Sequence, residues 1–227
     1  MIALFTAAVL VLQNEELAEA AKKTAAQESY AFKVETKAGK GKNQPGAVEG
    51  RFQKEQPLSL KVGSTEGFRK GGAIVYKEGE EWKKLEKPAK GEKKAQPAAA
   101  GFSLIKVPHE EIENFEKNFE KVEKAAEKDK DCTVWSGPLT PTGAKVLVST
   151  GSKREGKIQA TYTGTAKVWV NDKGMIVRYE VVSIMKADTP KKGIVETTVT
   201  KTVEITGAGE TKVEVPEPAS KLLNAQS

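Results

Sequence analysis

The chain is poor in the side chains that usually carry chemistry. Its 227 residues hold one cysteine, Cys132, and one histidine, His109, and aromatics make up only 6%. A lone thiol excludes an internal disulfide. With no Cys or His partner near it, neither residue supports a metal site. Nucleophilic catalysis needs a base held beside the thiol or hydroxyl, and no pattern places Cys132 beside His109. No paired-carboxylate arrangement stands out either. The expectation is therefore a protein without enzyme activity, cofactor or metal. Cys132 reads as a small buried residue of a strand. His109, next to Pro108, reads as an exposed residue at a helix start. Scarce aromatics imply an aliphatic core.

Long hydrophobic runs are also lacking, with one short exception. "MIALFTAAVLVL" is apolar and uncharged, but at helical rise it spans roughly 17 Å, short of the roughly 30 Å hydrocarbon core. Residues 1–13 read as a signal-peptide-like segment, although no Lys or Arg precedes the apolar run. Export to a periplasmic or extracellular location is the expectation, with residues 14–227 as one domain.

Charge and alternation are plentiful. Charged residues are 30% of the chain and the net charge is +6. Positive charge favours anionic partners, here an anionic membrane surface, while no nucleic-acid partner is expected. Residues 14–28, "NEELAEAAKKTAAQE", form a predicted helix with Leu17, Ala21, Thr24 and Glu28 on one stripe. "SYAFKVETK" alternates strictly, and short strands follow through "EEWKKLE". Residues 87–101 read as a flexible basic loop. "HEEIENFEKNFEKVEKAAEKD" carries Ile112, Phe115, Phe119, Val122 and Ala126 at helical spacing, which predicts the best helix of the chain. "CTVWSGPL" reads as a strand. Thr140 then caps a short helix with Pro141 at its first position. From Lys157 the pattern is all strand, ending in "TKVEVP", before a short terminal helix in "EPASKLLNA".

The stretch Thr165 to Ala187 predicts two strands of about eleven residues about a turn at Asn171-Asp172-Lys173-Gly174, where typical strands run about 5–6. Roughly nine strands at about 4.8 Å spacing make a sheet about 40 Å wide. Two helices, each about 10–12 Å across, cover roughly half of it. Such a sheet curls around its helices. The predicted fold class is α+β: a curved antiparallel β-sheet, a half-barrel, with helices packed on the concave face. Apolar face left over becomes a trough.

Several motifs carry a resemblance. They are Ser29-Tyr30-Ala31-Phe32-Lys33-Val34 after a first helix, "AIVYKEGEEW" (Ala73 to Trp82), "VWSGPLT" before a short helix, and "GTAKVWVNDKGMIVRYEV". Together they resemble the LolA-like lipoprotein-carrier superfamily, including LprG/LppX-type lipid-binding proteins of bacterial envelopes. The resemblance spans about residues 14–223. It implies a half-barrel that holds acyl chains or lipoprotein tails, with no catalytic residues. The chain lacks the lipid-anchor cysteine of the LprG/LppX type and carries long lysine-rich insertions.

The expected function is non-enzymatic binding or carriage of a hydrophobic envelope ligand, a lipid or acyl chain, by a monomer. The expected wall is Tyr30, Phe32, Val34, Val168, Val170, Val177 and Tyr179, with Phe115 and Phe119 from the helix above it. The competing expectation is a protein-interaction or scaffold module with a filled core and no ligand.

Overall fold

The computed structural model describes residues 15–39, 46–86, 98–113, 115–129, 131–148, 160–189 and 193–225. The signal-peptide-like segment 1–13 lies outside the described residues, as does 87–97 of the expected basic loop. From Ala98 the chain forms a 3-10 segment, Ala98–Leu104.

The strands are β1 (Ser29–Ala38), β2 (Val48–Gln53), β3 (Leu58–Val62), β4 (Thr65–Lys70), β5 (Ala73–Glu78), β6 (Glu81–Lys84), β7 (Glu123–Asp129), β8 (Cys132–Pro138), β9 (Ala160–Val170), β10 (Ile176–Thr189) and β11 (Gly193–Thr206). They form one open antiparallel sheet of eleven strands in the order β6-β5-β4-β3-β2-β1-β11-β10-β9-β8-β7. The helices are α1 (residues 15–25), α2 (Pro108–Ile112), α3 (Pro141–Val146) and α4 (Glu217–Asn224). The α+β class read from the sequence is the class observed.

By backbone proximity the chain divides into two compact units. The first holds residues 1–27, 34–45 and 106–205, and the second holds 28–33, 46–105 and 206–227. In the second unit Phe68, Val75, Val213, Ala219 and Leu223 form a core that seats α4. Phe68 and Trp82 lie 5.5 Å apart between ring centroids. The Arg69 guanidinium donates to the Phe102 and Ile105 carbonyls at 2.8 and 2.7 Å, tying down the end of the 3-10 segment.

In the first unit α1 buries Leu17, Ala20, Ala21 and Thr24. Thr24 Oγ1 donates to the Ala20 carbonyl and accepts from the Ile176 backbone N–H, each at 2.8 Å, so a helix hydroxyl anchors the start of β10. Glu28, expected on the same stripe, lies beyond the helix and is exposed. The hairpin between β9 and β10 closes as expected. Gly174 takes φ +71°, and Asn171 Oδ1 accepts from the Met175 N–H at 2.9 Å.

Two expectations fail. Residues 211–216, "TKVEVP", are not a strand. The long helix from His109 does not form either. Its residues make the five-residue α2, a 3-10 segment Phe115–Asn118 and the edge strand β7. The backbone there bonds sideways rather than along a helix. Glu120 N–H donates to Pro138 at 3.0 Å, Thr140 N–H to Asn118 at 2.8 Å, and Phe119 bridges Leu139. Helix propensity is worth only tenths of a kcal/mol per residue among these types, so pairing with β8 prevails. Gly137 permits it: a Cβ there would collide with the Lys121 carbonyl.

Gly137→Ala should therefore lower stability by about 1–3 kcal/mol in urea unfolding. Gly101→Ala, whose Cβ would meet nothing within 4 Å, should stay within about 0.5 kcal/mol of the parent. Equal midpoints for the two variants would refute this account of β7.

Candidate functional site

The three longest strands set out a face row by row. Register pairs Val168, Tyr179 and Val203 in one row, and Ala166, Val181 and Lys201 in the next. Gly164, Ser183 and Val199 follow, then Tyr162, Met185 and Thr197, then Ala160, Ala187 and Val195. All these residues point to one side, because strand side chains alternate. Helices lie on this side. Phe115 packs against Tyr179 with ring centroids 5.2 Å apart, and edge-to-face against Phe119 at 5.6 Å. Ala144 of α3 stands 3.4 Å from where a Gly164 Cβ would sit.

Cover thins along the strands. Every side chain of the first two rows is buried. In the third row only Ser183 is buried, while Val199 is half-buried. Tyr162, Met185 and Thr197 are all half-buried, as is Val195 beyond them. The first two rows are thus filled with protein; in the last three Ser183 and Ala187 stay buried, while Tyr162, Met185, Val195 and Val199 are only half-covered.

Where filled rows give way to open ones lies a buried polar cluster. Glu111 of α2 accepts from the Tyr179 hydroxyl at 2.5 Å. The Lys201 ammonium donates to both of its oxygens, at 2.5 and 2.7 Å. Their charged side chains are 4% and 11% exposed. One row on, Ser183 is 1% exposed, and among the described residues its Oγ has no hydrogen-bond partner.

The residues expected to line the wall divide between the units. Tyr30 and Phe32 are buried in the second unit, where Tyr30 lies 6.2 Å from Phe32 and 5.1 Å from Phe52. Val34 is half-buried and belongs to the first unit, as do Phe115, Phe119, Val168, Val170, Val177 and Tyr179. A β-bulge between Ile176 and Arg178 leaves Val177 out of the ladder and half-buried, while Ile176 takes the fully buried place opposite Val170. Sequence reading missed Glu111, Lys201 and Ser183. The available signal was Lys201 itself, at an alternation position shared with Val199 and Val203.

A separate cleft of about 260 Å³ lies beside α1, lined by Glu16, Glu19, Lys23, Lys124, Trp135 and Val170 among others. It falls below the usual ligand-pocket range of about 300–1,000 Å³. Lys124 stands over the Trp135 ring at 4.9 Å and reaches Glu16 at 2.6 Å. Cys132 is half-buried in β8, more open than expected. Among the described residues no cluster of His, Cys, Asp or Glu could hold a metal, and no helix is long and apolar enough to cross a membrane.

No protein-family profile matches the chain, and no curated protein does. Among solved structures, LprF from Mycobacterium bovis aligns over 91% of this chain and 96% of its own, at 13% identity and a TM-score of 0.55. That likeness shows the fold alone: the chain folds as LprF does. Lipovitellin aligns over 83% of this chain and 26% of its own, at 9% identity and a TM-score of 0.36. The LolA superfamily protein NE2245 from Nitrosomonas europaea aligns over 92% and 96%, at 9% identity and 0.30.

Phe115 is fully buried between Phe119 and Tyr179. Phe115→Ala should cost about 3–5 kcal/mol. An unchanged melting temperature would mean that the segment does not dock on the sheet. His109 is half-buried rather than exposed, and burial lowers its pKa below the usual 6.5, against the raising effect of Glu110 and Glu113. The unfolded chain then binds more protons than the folded one below that value, so stability falls as pH drops through 6.5 toward the folded pKa. His109→Gln should flatten that part of the pH–stability curve; an identical curve in parent and variant would refute the burial effect.

Proposed function

We propose that this chain is a non-enzymatic, exported envelope protein that binds or carries a hydrophobic molecule, a lipid or acyl chain, on the helix-bearing side of β9–β11. The carrying observation is the loss of cover along the rows, with Tyr162, Met185, Val195 and Val199 left half-buried. Burying such surface against an acyl chain is worth about 25 cal/mol per Å². The LprF-like fold supports the reading at the level of architecture. A net charge of +6 suits encounter with an anionic membrane surface, and the working form is a monomer. Close packing of Phe115 on Tyr179 favours the second reading, a scaffold module with a filled core, for the first rows only.

Organic extraction of the purified protein should yield lipid. A pyrene-labelled acyl ester should bind the parent, and Val199→Lys should weaken it about tenfold or more by placing a charge where the chain lies. Thr198→Lys, exposed on the opposite side of the strand, should leave binding within about twofold. If extraction yields nothing and the ester binds no variant, or all equally, the carrier reading is lost and the scaffold reading stands.

A further inference from the structure

The Glu111, Tyr179 and Lys201 cluster is odd for a purely structural device. A buried ion pair carries a large desolvation cost, and an apolar replacement of similar size is often neutral or stabilising. Here both charges sit against a sheet face whose neighbouring positions are Val181 and Val203, both fully buried. The cationic half comes from the sheet, held in β11 by pairing to Val181, and so does the hydroxyl, from β10. The anionic half alone comes from elsewhere, on a helix of five residues.

What the sheet supplies is a seat for one carboxylate. A phenol O–H and an ammonium converge on the same group, and charge-assisted bonds of this kind are about twice as strong as neutral ones. The seat lies where filled rows give way to half-buried apolar ones. Two residues of strand advance about 6.8 Å, so the rows of Ser183, Met185 and Ala187 extend roughly 20 Å beyond the Lys201 row. A second observation points to a missing oxygen or donor. Ser183, in the row next to Lys201, keeps a fully buried hydroxyl without a partner among the described residues, an arrangement native interiors rarely tolerate.

We propose that Tyr179 and Lys201 form the headgroup seat for a long-chain carboxylic acid, that Glu111 fills this seat from within the chain, and that the ligand carboxylate displaces it. The acyl chain then runs along the rows of Ser183 and Met185, and the Ser183 hydroxyl, one row from Lys201, donates to the seated carboxylate. Glu111 acts as an internal competitor and sets the affinity. This inference rests on the carrier reading and adds to it the class of ligand.

The test compares oleic acid with methyl oleate by isothermal titration calorimetry on the full chain. The parent should prefer the acid by about tenfold or more. Glu111→Gln removes the competing charge and should tighten oleic acid by about tenfold, with little change for the ester. The paired variant Glu111→Gln with Lys201→Met leaves no unpaired buried charge, and it should bind acid and ester alike. Circular dichroism melts confirm that each variant is folded. If the parent binds both lipids equally and Glu111→Gln changes neither, the seat is refuted and carriage of neutral lipid stands. If the parent and the folded paired variant bind neither lipid, both the seat and the carrier reading fail.

Discussion

The structure depends on one register. Tyr179 of β10 stands between Val168 of β9 and Val203 of β11. That pairing brings Val181 and Lys201 together, and sets Ser183 between Gly164 and Val199. A slip of one residue in β11 would turn Lys201 and its valines to the opposite side, because side chains alternate with a period of two. Register is held by contacts outside the ladder as well. The Thr24 hydroxyl grips the Ile176 N–H at the start of β10, and the bulge after Ile176 absorbs Val177, which has no partner on β9.

Polarity follows from the same register. Phe115 meets Tyr179 through its ring while Glu111 meets the hydroxyl of that same tyrosine. One residue thus links the apolar filling of the face to its charged spot, and the short segment from α2 to Phe119 is held at both its polar and its aromatic positions. The opposite side of the sheet has a different character. Trp169 and Arg178 pair there, with the guanidinium 4.6 Å from the ring centroid, so the polar and apolar identities of the two sides are not simply inverted.

Most strands were legible because alternation is a local signal. The hairpin at Gly174, the Thr140 cap and α3 were legible for the same reason, since each depends on residues within a few positions of one another. The stretch from His109 was misread because its stripe of Ile112, Phe115, Phe119 and Val122 fits a helix and also fits two tight turns that bury the same side chains. Nothing inside that stretch reports that β8 lies beside it, nor that Gly137 leaves room for its backbone.

The chain's own pattern thus determined the class of fold, the long β9–β10 hairpin and which residues of each long strand share a face. Tertiary structure alone decided that Tyr30 and Phe32 pack in a different unit from Phe115 and Tyr179, that Ile176 rather than Val177 is fully buried, and that Glu111 meets Lys201 across 90 residues of sequence. The physical reason is range. Propensity and alternation act over a few residues. A buried charge is tolerable only beside its partner, and that partner is chosen by which strands and turns pack together.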